Sequence, residues 1–100
     1  MAGMNARPKQ AMVWYRGLAY LIDLVACRRA MLHRQVEGEL DSMESLATSV
    51  GVSRSTVSRF FSGRPTSLTV TLKILTALKL RFEDVAKPAD PGGAGTLQPA

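Results

Sequence analysis

Residues 43–62 read MESLATSVGVSRSTVSRFFS, and their spacing is that of two short helices meeting at a sharp three-residue turn. Ala47 falls where the second helix crosses the first, and only a small side chain there lets the two backbones approach closely. Gly51, four residues on, supplies the turn, because a residue without Cβ takes the left-handed conformation that closes a helix. Val57 packs back onto Ala47 from the second helix. Leu46, Val50, Val52 and Phe60 fill the remaining positions that such a unit buries. Singly these residues would carry no weight, but their conjunction predicts a compact pair of helices.

The residues that the second helix leaves outside are Arg54, Ser55, Thr56, Ser58 and Arg59, which are polar, differ in length and include no acid. An α-helix of this kind fits the major groove of duplex DNA, where arginine pairs bidentately with guanine and hydroxyls reach phosphates or base edges. Ser53 and the free N–H groups of the first turn suit a phosphate in addition.

Outward from this unit, the pattern continues at helical spacing. Ser42 stands as an N-cap for the first helix after the broken stretch EGELD (37–41), and Ser53 caps the second, which ends at Gly63 and Pro65. Thr66 or Ser67 caps a further helix with Val70, Ile74, Ala77 and Leu78 on one face, and Leu80, Phe82 and Val85 make a short last helix. Upstream, Trp14, Leu18, Leu21, Ile22, Val25, Leu32 and Val36 recur at steps of three and four, which predicts one long helix from Met12 to about Val36 with Gly17 as its weak point. Residues 1–11 have the composition of a flexible basic arm, and PADPGGAGTLQPA (88–100) that of a disordered tail. The expected architecture is therefore an all-α, five-helix domain over 12–87, with the two-helix unit at 43–62 and an extended N-terminal helix.

Composition narrows the chemistry. A formal charge of +5 in 100 residues favours a polyanionic partner, and from Arg54 to Arg81 the chain carries basic residues (Arg54, Arg59, Arg64, Lys73, Lys79, Arg81) with no acid among them. The apolar stretch 13–26 is shorter than the ~20 residues of a membrane span and contains Arg16 and Asp23, so no membrane role is expected. Nor is a signal peptide legible. Cys27 is the single cysteine and His33 the single histidine, which leaves no disulfide and no metal site; Cys27 reads as a small buried hydrophobe in a reducing cytoplasm. With no nucleophile and base set, no phosphate-binding glycine loop and no metal cluster, the chain does not read as an enzyme, and it has no evident cofactor or small-molecule ligand.

With these residues in place, the segment resembles the helix-turn-helix of the phage Cro and repressor family, GVSRSTVSRFFSG forming its turn and recognition helix. TLKILTALKLRFEDV (71–85) is similar to that family's following helices, so the likeness covers about 21–85. The turn, GVS followed by TVSR, also resembles the lactose-repressor family, which places it at the very N-terminus, whereas here roughly forty residues precede it. The resemblance implies a lambda-repressor-like fold in which Arg54, Ser55 and Arg59 face base edges, while Ser53, Thr56, Ser58 and Arg64 meet the DNA backbone. Met43 departs from the pattern, since it occupies a frequent polar contact position and cannot donate a hydrogen bond.

The implied function is a sequence-specific double-stranded DNA-binding regulator of transcription, a repressor acting by operator occlusion in the cytoplasm of a bacterium or encoded by a phage. The alternatives are an antitoxin-type protein that binds a partner protein and autoregulates its operon, or a protein-interaction module of the same fold. The apolar stripe at Trp14, Leu18 and Leu21 is the candidate interface of a homodimer, the usual state of this family.

Overall fold

The computed structural model describes residues 8–89. In chain order the elements are β1 (Gln10–Tyr15), β2 (Leu18–Asp23), α1 (Leu24–Val36), α2 (Met43–Val50), α3 (Arg54–Phe61), α4 (Leu68–Ala77), α5 (Phe82–Val85) and β3 (Ala86–Pro88). The strands form one antiparallel sheet of order β1-β2-β3, in which Ala11 faces Ile22, Val13 faces Tyr20, and Ile22 in turn faces Ala86.

The expectation of an all-α domain with an extended N-terminal helix is thereby overturned: residues 10–23 are a β-hairpin, and the helix begins only at Leu24. The reason lies in three local features. Arg16 and Gly17 both hold positive φ, 55° and 79°, as a two-residue hairpin turn demands. Around them stand Val13, Trp14, Tyr15, Tyr20 and Ile22, the β-branched and aromatic types that suit a pleated surface. Finally, Asp23 caps α1, its carboxylate accepting from the N–H groups of Val25 at 3.0 Å and Ala26 at 3.1 Å. Apolar residues are so dense from Met12 to Ile22 that they satisfy a helical period and a strand period alike, and alternation wins: Ala11 and Val13 are buried while Met12 and Trp14 are exposed.

The sheet's inner face closes one side of a core built by all the helices. Ile22, Leu24, Cys27, Leu46, Val57, Phe60, Ile74, Leu75 and Leu78 are fully enclosed there. At the turn end of the hairpin Tyr15, Tyr20 and Phe82 pack ring to ring, with centroids 5.5 to 6.1 Å apart, and so fasten α5 to the strands. Beyond α1 the chain is held by Arg34, which is buried and reaches Glu37 at 2.8 Å and Glu39 at 3.4 Å.

The arm expected over 1–11 and the tail expected over 88–100 lie for the most part outside the described residues; inside them, Gln10 and Ala11 belong to β1 and Pro88 to β3. No helix among the described residues is long and apolar enough to cross a membrane, and no group of His, Cys, Asp or Glu among them is arranged to hold a metal ion.

Candidate nucleic-acid interface

The unit formed by α2 and α3 is built as its spacing requires. Ser42 caps α2 by accepting from the Ser45 N–H at 3.2 Å, and Gly51 ends it at φ 78°, its own N–H donating to the Ala47 carbonyl at 2.9 Å. Val52 N–H donates to the same carbonyl at 3.0 Å, which folds the chain back within three residues. Leu46, Ala47, Val57 and Phe60 are buried between the helices, with Val50 and Val52 half-buried at the margin and Gly51 exposed at the turn. Phe61, which periodicity leaves at the edge of this face, is also buried and meets Phe60 edge to face at 5.2 Å.

Core packing turns the rest of α3 outward. Arg54, Ser55, Ser58 and Arg59 are exposed along one side, Thr56 is half-exposed, and Arg64 stands exposed just past the helix. At the N-terminus of α3 three hydroxyls converge: Ser53 Oγ accepts from Thr56 N–H at 3.1 Å and lies 3.0 Å from Ser55 Oγ and 2.8 Å from Thr56 Oγ1. Beside this helix a shallow depression of about 260 Å³ is lined by Thr56, Arg59, Pro65, Thr66, Ser67 and Val70. Ser67 caps α4 there, accepting from Val70 N–H at 3.1 Å, so the positive end of the α4 dipole lies at the depression beside the Arg59 guanidinium.

The basic stretch from Arg54 to Arg81 divides in space. Lys79 is paired with Glu39 at 3.2 Å, and Arg81 with Asp84 at 3.4 Å and Glu83 at 3.5 Å. Arg54, Arg59 and Arg64, on and beside α3, have no ion pair among the described residues, nor has Lys73 on α4, so most of this stretch's uncompensated positive charge lies on and beside α3.

Sequence reasoning passed over Arg28. Its guanidinium reaches from α1 to donate to the Phe61 carbonyl at 3.0 Å and the Pro8 carbonyl at 2.6 Å, which satisfies an otherwise open C-terminal carbonyl of α3 with a cation. Nothing in the local pattern of a helix announces a contact thirty-three residues away. The residues expected to share one apolar stripe are separated. Trp14 and Leu21 lie on the outer face of the hairpin, whereas Leu18 pairs with Tyr15 on the inner face, beyond the core and 60% exposed.

Two helices crossing at a small residue, joined by a left-handed glycine turn and presenting an unpaired basic face, define a DNA-binding domain of the helix-turn-helix type. Residues 41–85 match the family model described as Helix-turn-helix, a family found in Cro/repressor-type proteins. No curated protein and no solved structure gives a significant match to the chain.

Proposed function

We propose that the chain is a sequence-specific transcriptional regulator that lays α3 in the major groove of duplex DNA and represses by occupying its operator. The observation that carries this reading is the exposed face of α3, where Arg54 and Arg59 stand free of acids between hydroxyl side chains while the helix is held rigidly from behind by Val57, Phe60 and Phe61. Arg54, Ser55 and Arg59 read base edges. Ser53, Thr56, Ser58 and Arg64 contact phosphates, and a phosphate in the depression between α3 and α4 meets Arg59 and the free N–H groups of the α4 N-terminus together. One such helix spans only a few base pairs, too few to single out a site among the competing sequences of a genome, so two copies bind a two-fold operator with half-sites about 10 base pairs apart. The protein acts in the cytoplasm.

Selection of binding sites from a random duplex library, followed by fluorescence anisotropy on the selected site, tests the reading. A recovered inverted repeat bound more tightly than scrambled duplex is the expected result. Failure to enrich any sequence would refute sequence-specific regulation.

A further inference from the structure

β1 forms the edge of the sheet, and its peptide groups have a fixed direction. Leu24 N–H donates to the Lys9 carbonyl at 2.9 Å, and peptide groups alternate sides along a strand, so Lys9, Ala11, Val13 and Tyr15 aim theirs at β2 while Gln10, Met12 and Trp14 aim theirs away. The bond from Ala89 N–H to the Ala19 carbonyl at 2.8 Å fixes the same parity from the β3 side. Among the described residues, no strand and no other backbone group pairs with the outward N–H and C=O groups of Met12 and Trp14. Edges left open in this way are ordinarily guarded by charge, proline or a bulge. The strand QAMVWY has neither a charge nor a proline, and its register with β2 is unbroken. Beside the open edge, Met12 is 41% and Trp14 62% exposed on the outer face.

We infer that this edge pairs with the same edge of a second copy, antiparallel about a two-fold axis at Val13, joining two three-stranded sheets into one of six strands. An antiparallel strand pair is self-complementary, as a two-fold contact must be. Charge points to the same occupant: copies of a chain of net charge +5 repel each other wherever their basic surfaces meet, and β1 is a six-residue stretch free of charge on which they can approach.

Geometry selects the register. A two-fold axis normal to the sheet keeps outer faces together, so it passes through a residue opposite its own copy, either Met12 or Val13 at the centre of the strand. With Met12 on the axis the pairing requires the outward carbonyl of Gln10. That carbonyl is already approached by the loop after α3, where a Cβ at Gly63 would lie 3.2 Å from the Gln10 oxygen and 2.8 Å from Pro8 Cβ. With Val13 on the axis, Met12 faces Trp14 of the partner subunit on both sides, so the outward peptide groups of Met12 and Trp14 are used and apolar side chains meet. Because Gly63 directly follows α3, the same contact sets the two recognition helices relative to one another. The inference deepens the two-copy reading above, and rests on it for its purpose though not for its evidence.

The full chain is examined by sedimentation equilibrium over a range of concentrations, with and without the selected duplex. The expected result is a dimer in both cases. The Met12→Cys/Trp14→Cys double variant should cross-link as a dimer on a non-reducing gel under mild oxidation, each single variant far less, and the enclosed Cys27 should not compete. Trp14→Lys should raise the dimer dissociation constant by about tenfold or more, as loss of an apolar cross-strand pair on both sides of the axis implies, while the far-ultraviolet circular dichroism shows an unchanged fold. A full chain that stays monomeric overturns the proposal, whether its edge is then covered by another protein or by the chain's own residues outside 8–89. A dimer that ignores Trp14→Lys and does not cross-link overturns it equally, and efficient cross-linking of Met12→Cys alone overturns the register. A dimer that forms as described but enriches no DNA sequence upholds the strand contact and sinks the regulatory reading instead.

Discussion

Arg54 and Arg59 project from a face that α3 keeps outward by burying Val57 and Phe60, whereas Arg64 lies past the end of the helix. Arg54→Ala and Arg59→Ala are each expected to remove about 1–3 kcal/mol of discrimination between bases, while Arg64→Ala weakens binding to all sequences alike. Anisotropy against single-base variants of the selected site separates the two outcomes, and a wild-type base preference in Arg59→Ala would remove that side chain from the groove. Gly51 shows how space and conformation differ. A Cβ there would meet nothing within 4 Å, yet the residue sits at φ 78°. Gly51→Val should therefore cost stability through conformation alone, by roughly 1–2 kcal/mol, and Gly51→Asn much less. Chemical denaturation of the two variants measures the difference. Cys27 is pushed up to about 12 from an ordinary value of 9.0, first by burial, then by the Asp23 charge, with Arg28 opposing. Since folding raises this pKa, the thiol's contribution to stability is whole below pH 9.0 and is lost as pH climbs towards about 12. A thiol reagent should accordingly label Cys27 only as fast as the protein unfolds, and rapid labelling of the native chain would show the site to be open.

Among the elements, the junction of β2 and α1 bears the most consequence for the site, because it passes from strand to helix with no loop between them. Asp23 makes that possible by taking up two N–H groups of the first turn. Asp23→Ala should lower stability by about 0.5–2 kcal/mol, measured by thermal denaturation, and Asp23→Asn should recover most of the loss, since an amide oxygen caps nearly as well. The end of α3 depends on a different device. There the Arg28 guanidinium ties the helix to the chain entering β1, and the close approach of Gly63 to Gln10 and Pro8 leaves no room for a side chain. The end of α3 and the open edge of the sheet thus meet at one corner of the molecule.

At the scale of the whole molecule, Lys79 and Arg81 are paired with acids, while Arg54, Arg59 and Arg64 on and beside α3 have no such partner among the described residues. Duplex binding should weaken steeply with salt, log K falling by ~0.9 for each phosphate contact per tenfold change, and Arg64→Ala should shallow that slope by about one contact while Arg81→Ala leaves it nearly unaltered. Titrations over a range of potassium chloride concentrations decide this; a slope that responds equally to both variants would mean that the field is spread over the molecule. The two-helix unit, its caps and its outward side chains were legible in MESLATSVGVSRSTVSRFFS because each is a local matter: a cap reaches three residues, a left-handed turn needs one glycine, and helical spacing sorts a face. The N-terminal hairpin was not, although Arg16–Gly17 between aromatic and β-branched residues was its available signal. Where apolar residues run nearly unbroken, both periods fit, and the choice falls to partners distant in sequence: the core that accepts Val13 and Ile22, β3 that pairs with β2, and Phe82 that meets Tyr15 and Tyr20. Arg28 at the end of α3, the neutralisation of Lys79 and Arg81, and the open edge of β1 belong to the same category. Local geometry acts over a few residues and can be read along the chain, whereas ion pairs, sheet order and exposed edges exist only once remote segments have been brought together.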